Sequence, residues 1–340
     1  MRRWLAPFVV TAVLLVPATA HASSATPYFF HDAGVSLGLR LAAAPSGYWG
    51  GEYSVSNECP VTSNPCDSVT IYTSAAYPVD EQANQTVANF LDTAVHGPEL
   101  STVTILRVTT NQIAQLCGST DALACYDPQT GTIATPADDS SDVSAKSALL
   151  HEFGHHIANA RRNPPWHAID RGPKRWATYE NVCVQSKNGK MFPGAEADLN
   201  EYRRNPGEGW AEAYRVFNEQ RLGLPAFPWQ AVNRALFYPD ATALQLVQDD
   251  VLHPWLKRTT STIAGRLLKN RTRTYSIPTP LDGSFTVKAP AGLRLSVLGK
   301  SSTLTSGARS VNTEVCGQRT LRVRVTAKRA ESYTLRVARP

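Results

Sequence analysis

Between Ser144 and Ala160 the chain reads Ser144-Ala145-Lys146-Ser147-Ala148-Leu149-Leu150-His151-Glu152-Phe153-Gly154-His155-His156-Ile157-Ala158-Asn159-Ala160. Apolar residues at 148, 149, 153 and 157 recur at helical spacing, and Asn163-Pro164-Pro165 stops the run. The period predicts a helix from about Ser144 to Ala160. On that helix residues four apart share a face, so His151 and His155 can both reach one cation. Glu152 then stands beside the ion rather than on it. Imidazole nitrogens make zinc the leading metal, one ion in number. With 8 histidines in 340 residues, a chance His-Glu-x-x-His is expected only about 0.007 times per chain.

A catalytic zinc takes three protein ligands and leaves one position to water. The extended metzincin pattern does not supply the third. Arg161 stands where its last histidine would fall, and Ala158 replaces its glycine. Further on, Asn205-Pro206 provides a cap and an N1 proline for a second helix that runs to about Arg221, closed by Gly223 and Pro225. It carries Glu208-Gly209-Trp210-Ala211-Glu212-Ala213-Tyr214. Glu208 and Glu212 share a face, so Glu208 is the favoured third ligand. Glu212 would hydrogen-bond the free ring nitrogen of a ligating histidine and set its tautomer. Glu212 itself and His167 are the other candidates for third ligand.

These two motifs resemble the gluzincins, zinc metallopeptidases that bind their ion through two histidines and a glutamate. The second motif is most similar to the Glu-x-x-Ala-Glu-Ala-aromatic helix of anthrax lethal-factor-like peptidases. The resemblance covers residues 130–220 at most. It implies His151, His155 and Glu208 as ligands, Glu152 as general base and Glu212 as the acid behind a ligand. Family members also use a tyrosine upstream of the third ligand to stabilise the oxyanion. Tyr202 is the nearest match, although Glu201-Tyr202-Arg203-Arg204-Asn205 departs from the family's pattern. His156 and His167 are reserve donors, His156 being better explained by helix packing. In such a site Glu152 takes the proton of a metal-activated water and returns it to the leaving amine. Gly131–Pro136 is expected to be the edge strand along which an extended substrate pairs.

Around this centre the chain divides. Arg2-Arg3, an apolar run from Trp4 to Val16 and Ala20-His21-Ala22 read as a secretory signal peptide over residues 1–22, which makes the protein secreted and extracellular. The apolar run is short for a membrane span, and none follows. Residues 23–66, rich in Gly, Ser, Pro and Ala, read as an arm or propeptide-like segment. Residues 67–258 hold strands at Ser68–Tyr72, Thr102–Val108 and Gly131–Pro136, a helix over Asp80–Val95 and the metal-binding helices. Residues 164–205 lack periodicity and read as a long functional loop. Another helix is expected over Ala241–Leu252 and a linker near Arg258–Arg266. Beyond it the period changes to two, with Leu293, Leu295, Val297, Leu321, Val323, Val325, Tyr333, Leu335 and Val337 on one face and Arg322, Arg324 and Arg336 on the other. The expected fold class is α+β: a zincin-like metallopeptidase domain followed by a small antiparallel β-sandwich at 266–340. That module is similar, more weakly, to those appended to secreted bacterial peptidases.

Six cysteines in an exported chain argue for disulfides. Proximity pairs Cys59 with Cys66 and Cys117 with Cys125, leaving Cys183 with Cys316. Charge is lopsided: from residue 260 onward there are 15 basic and 3 acidic residues, a net of +12, while residues 23–259 carry −8. An anionic cell-envelope polymer is therefore a candidate partner for residues 260–340. Interleaved aromatic and basic residues suited to nucleic acid are absent, and nucleic acid is not expected. The leading function is a secreted zinc metallopeptidase acting on peptide or protein substrates. The alternatives are a non-catalytic polyanion-binding protein on a zincin scaffold and a zinc amidase acting on cell-wall material. Intact Glu152 weighs against the first alternative, because a binding relic has no need of a base.

Overall fold

The computed structural model describes residues 53–62, 66–119, 122–139, 144–195, 198–226, 232–299 and 302–340. The signal peptide expected at 1–22 and residues 23–52 of the arm lie outside the described residues. No helix among the described residues is long and apolar enough to cross a membrane.

The first half alternates strands and helices. Its elements are β1 (Tyr53–Glu58), β2 (Val69–Ser74), α1 (Glu81–Thr93), β3 (Thr104–Val108), α2 (Thr110–Cys117), β4 (Cys125–Asp127), β5 (Thr132–Pro136) and α3 (Ala145–Asn159). The strands form one sheet in the order β1-β2-β3-β5-β4. β2, β3 and β5 are parallel, while β1 and β4 run antiparallel at the two edges. Residues 53–58, placed by composition in an irregular arm, are thus an edge strand, tied down by the Cys59–Cys66 disulfide that follows them.

Gly131–Pro136 was expected at the edge of the sheet and is not there. β4 folds back antiparallel on Thr132–Ala134, and β3 pairs along the other side. The cause is the turn Asp127–Gly131. Asp127 accepts from Gln129 N and Thr130 Oγ1, and Gly131 takes φ +72, a left-handed value that suits glycine. The turn places β4, three residues long, outside β5.

Helix α3 is capped by the Ser144 side chain, which accepts from Ser147 N. Leu149, Leu150, Phe153 and Ile157 join Val69, Ile71, Ile105 and Ile133 of the sheet in one apolar core. Next come the paired strands β6 (Arg162–Asn163) and β7 (Trp166–His167), then α4 (Ala168–Arg171), α5 (Lys174–Tyr179), α6 (Val182–Lys187), α7 (Leu199–Tyr202), α8 (Pro206–Leu222), α9 (Arg234–Phe237) and α10 (Ala241–Leu252). The segment 164–205, read as a long loop, therefore holds four helices among its described residues. None exceeds six residues, too short to express a hydrophobic period. Trp176 and Lys174 of α5 are almost wholly buried. α8 begins as its sequence predicts: Asn205 accepts from Gly207 N, Pro206 is the first helical residue, and Gly223 closes the helix at φ +64.

The second half is all-β: β8 (Thr259–Leu267), β9 (Thr272–Pro278), β10 (Gly283–Lys288), β11 (Leu293–Leu298), β12 (Thr303–Gly307), β13 (Ser310–Val315), β14 (Thr320–Ala327) and β15 (Glu331–Arg339). They make two antiparallel sheets, β13-β10-β15-β8 and β12-β11-β14-β9. The alternating residues singled out in the sequence fill the core between them, and Arg322, Arg324 and Arg336 face outward. The segment 258–266 is no linker. From Thr259 it is strand β8, paired along its whole length with β15.

The two halves are joined by the Cys183–Cys316 disulfide, while Cys117–Cys125 staples α2 to β4. At the seam the buried Lys174 ammonium donates to the carbonyls of Pro164 and Asp282 at 2.9 and 3.0 Å. Burial pulls its pKa down to about 8, with Asp282 and Asp250 opposing. Arg319 donates to Thr178 O and to the Asp282 carboxylate.

Candidate metal centre

Helices α3 and α8 run antiparallel in close contact, and Gly154 is what allows it. A Cβ at 154 would lie 3.0 Å from Ala211 Cα and 3.2 Å from Tyr214 Cβ. Trp210 Nε1 donates to Gly154 O at 2.8 Å, locking the crossing. This apposition turns the histidine face of one helix towards the glutamate face of the other.

Three donors converge there. His151 Nε2 lies 3.3 Å and His155 Nε2 3.4 Å from Glu208 Oε2, all three side chains being buried. Their ligand atoms lie within 4.8 Å of one another, a group able to hold a metal ion. Hydrogen bonds between charged partners run at about 2.7–2.9 Å. These separations are longer, as expected of donors grouped around a shared cation.

The surrounding residues orient the donors. Glu212 Oε1 stands 3.4 Å from His151 Nδ1, so the far nitrogen of that ring faces a carboxylate and Nε2 is left towards Glu208. Arg215 donates to Glu212 from Nε and Nη2 at 3.0 and 2.5 Å, and to Glu219 from Nη1 at 2.7 Å. Ser147 Oγ of α3 completes the chain by donating to Glu219 at 2.6 Å. Tyr202, at the end of α7, donates its hydroxyl to Glu208 Oε2 at 3.1 Å. The Glu152 carboxylate is 2 % exposed, and its Oε2 has no hydrogen-bond partner among the described residues.

The electrostatics favour a cation. Burial works against charge on His151, yet hydrogen bonds to Glu208 and Glu212 hold its pKa up at about 10. Burial likewise opposes ionisation of Glu208, but His155 and His151 hold it down at about 2. Glu152 is pushed up to about 7 by burial, against the pull of the two histidines. Burial and the nearby carboxylates raise Tyr202 well above the usual phenol value. Arg215 answers Glu212 and Glu219, which leaves Glu208 balanced by imidazoles. Without a metal, His151 carries the positive charge that the buried Glu208 needs; a bound cation would supply that charge with the ring neutral.

Other candidates sit elsewhere. His156 turns away from the group: its Nε2 meets Glu99 O at 2.9 Å and its Nδ1 meets the Tyr126 hydroxyl at 3.1 Å, which fits helix packing and not an oxyanion donor. His167 is exposed on β7, opposite Arg162, and is not in the donor group. Arg161 pairs with Glu99 at 2.8 Å and binds the carbonyls of Asp250 and Val251. Glu314, with Cys183 and Cys316, forms a second grouping of metal-ligating types, but its two sulfurs are bonded to each other. Sequence reasoning missed Arg215, Glu219, Ser147 and the role of Gly154. The i, i+3 and i, i+4 spacing of Glu212, Arg215 and Glu219 was the signal available for the first two.

Neither a protein-family model nor a curated protein matches the chain. Among solved structures, PliG of Aeromonas hydrophila, a periplasmic inhibitor of g-type lysozyme, is similar over 24% of this chain and 86% of its own, at 13% identity and a TM-score of 0.22. A likeness at that level carries no argument.

Proposed function

We propose that the chain is an exported zinc metallopeptidase of gluzincin type, with the β2–β5 sheet and helices α3 and α8 as a zincin-like domain. The observation that carries this reading is the convergence of His151, His155 and Glu208 beside the buried Glu152, whose Oε2 has no hydrogen-bond partner among the described residues. Donors about 2.0–2.1 Å from a tetrahedral zinc stand roughly 3.3–3.4 Å from each other. The two imidazole-to-Glu208 separations, 3.3 and 3.4 Å, fit that ion.

Zinc bound there would lower the pKa of a coordinated water and polarise a scissile carbonyl. Glu152, which burial makes harder to ionise than an ordinary carboxyl in the metal-free site, is the group placed to accept a proton and release it. Glu212 keeps His151 in one tautomer, and the Arg215 guanidinium keeps Glu212 in place. The Tyr202 hydroxyl, already against Glu208, is the donor best placed to meet negative charge developing on a substrate oxygen. β4, not β5, is the strand on which an extended substrate would add. Its Tyr126 ring lies parallel to that of His155 with centroids 6.5 Å apart, which brings this edge to the centre. The disulfides fit an exported protein.

The test is metal analysis of the purified protein with Glu152→Gln and His151→Ala beside it, on a peptide library and a peptidoglycan digest. Glu152→Gln should keep one zinc and its melting temperature while cleavage falls about 10²–10⁴-fold. His151→Ala should lose the metal. Unchanged cleavage by zinc-loaded Glu152→Gln would remove Glu152 as the base. Cleavage of peptidoglycan alone would replace the peptidase with an amidase.

A further inference from the structure

The outward face of the β13-β10-β15-β8 sheet carries a wide, shallow groove, far along the chain from the His151-His155-Glu208 group. Three exposed cations line it, Arg266 from β8, Lys288 from β10 and Arg336 from β15. The pairing fixes their layout. Lys288 lies directly opposite Arg336, and Arg266 lies opposite Ser332, four residues back along β15. At about 3.4 Å per residue, the two basic positions on the groove are roughly 14 Å apart along the strand. Ser332 and Thr334 supply hydroxyls between them, and none of the described residues lining the groove is acidic. Glu331 turns instead towards Gly292, where its carboxylate would lie 2.8 Å from an added Cβ. Gly265 lies over the core between the sheets: a Cβ there would come within 2.7 Å of the Tyr275 and Tyr333 hydroxyls, which are hydrogen-bonded to each other.

We propose that this groove binds a linear anionic polysaccharide, with Arg266 at one end and the Lys288–Arg336 pair at the other taking successive carboxylates or phosphates. One small anion does not bridge the span, whereas a chain does. Tyr333 is 4 % exposed, so the groove offers no aromatic face for base stacking, and hydroxyls beside cations suit sugar chemistry better than nucleic acid. The net +12 of residues 260–340 against −8 for residues 23–259 draws a polyanion to this half and repels it from the other. The site is independent of the metallopeptidase reading, and would hold the catalytic half near an anionic matrix whatever that half cleaves.

The experiment measures binding of the full chain to alginate, a polyuronate, at low and high salt, with neutral dextran and a single-stranded oligonucleotide as comparisons. Arg266→Gln/Lys288→Gln/Arg336→Gln should weaken alginate binding about tenfold or more, since each exposed ion pair carries a few-fold effect. Arg294→Gln/Arg322→Gln/Arg324→Gln removes the same charge from the outer face of the other sheet and should cost less than about threefold. Lys288→Gln alone, at an exposed strand end, should cost about threefold and serves if the triple variant misfolds. Equal losses from the two triple variants would reduce the effect to bulk charge and overturn the groove. Dextran bound as tightly as alginate, or the oligonucleotide bound more tightly, would overturn the ligand class.

Discussion

Gly154→Ala sets two physical effects of opposite sign against each other. In an exposed helix, replacing glycine by alanine stabilises by about 0.8–1.0 kcal/mol. Here the added methyl would stand 3.0 Å from Ala211 Cα and 3.2 Å from Tyr214 Cβ. Both sit on α8, and the nearer is backbone, so no side chain can swing aside; the two helices must part by a few tenths of an ångström. Overpacking of this kind costs about 1–3 kcal/mol, and contact with backbone places it in the upper part of that range. The net expectation is a loss of about 1–2 kcal/mol, or roughly 2–8 °C in melting temperature for a domain of this size. The same parting moves Glu208 and Glu212 away from His151 and His155. Disturbing the support of a metal ligand typically weakens binding about 10–100-fold, so a metal loaded at this group should be lost to a competing chelator at correspondingly lower chelator concentration. Calorimetry and a chelator titration read both effects. A variant that melts higher than the parent and holds a loaded metal as tightly would refute the close crossing, and with it the geometry that gathers the donors.

Arg215→Met leaves the buried Glu212 and Glu219 carboxylates without their guanidinium; it should cost about 3–5 kcal/mol in denaturant unfolding and loosen metal retention. Lys174 has a folded pKa of about 8 against 10.5 for the free side chain. Between those values the unfolded chain holds the proton more tightly, so stability should rise with pH from about 8 to 10.5, by no more than about 3 kcal/mol. Unfolding midpoints across that window should slope upward in the parent and lose the slope in Lys174→Met. Replacing Cys183 and Cys316 together by alanine opens a link across 133 residues and should cost about 3–5 kcal/mol, with the C-terminal sheets becoming the first part to admit protease.

The candidate metal-binding face was legible because it is local. His151 and His155, and Glu208 and Glu212, each share a face by helical periodicity alone, and their caps at Ser144 and Asn205 lie in the same stretches. The three disulfides were legible from spacing, and the C-terminal strands from alternation that a two-sided core enforces. β1 and β4 were not, since an edge strand needs only backbone pairing on one side and leaves little mark on its residues. Nor were the helices between 168 and 202, none longer than six residues; α5, for one, is fixed by burial of Lys174 and Trp176 rather than by a repeated pattern.

What the linear chain determines on its own is which donors exist and which of them face the same way, because a helix of 3.6 residues per turn leaves no choice. What it cannot determine is which helix meets which. That Glu208 reaches both histidines, that Glu212 backs His151, and that Arg215 and Glu219 stand behind them is decided by the α3–α8 crossing at Gly154. The contact joins residues more than 50 positions apart, and its depth depends on a missing side chain seen only when the two backbones are side by side. The edge of the sheet is decided the same way, by a turn at Gly131 that folds β4 outside β5. Local periodicity sets what each element presents; packing sets what it is presented to.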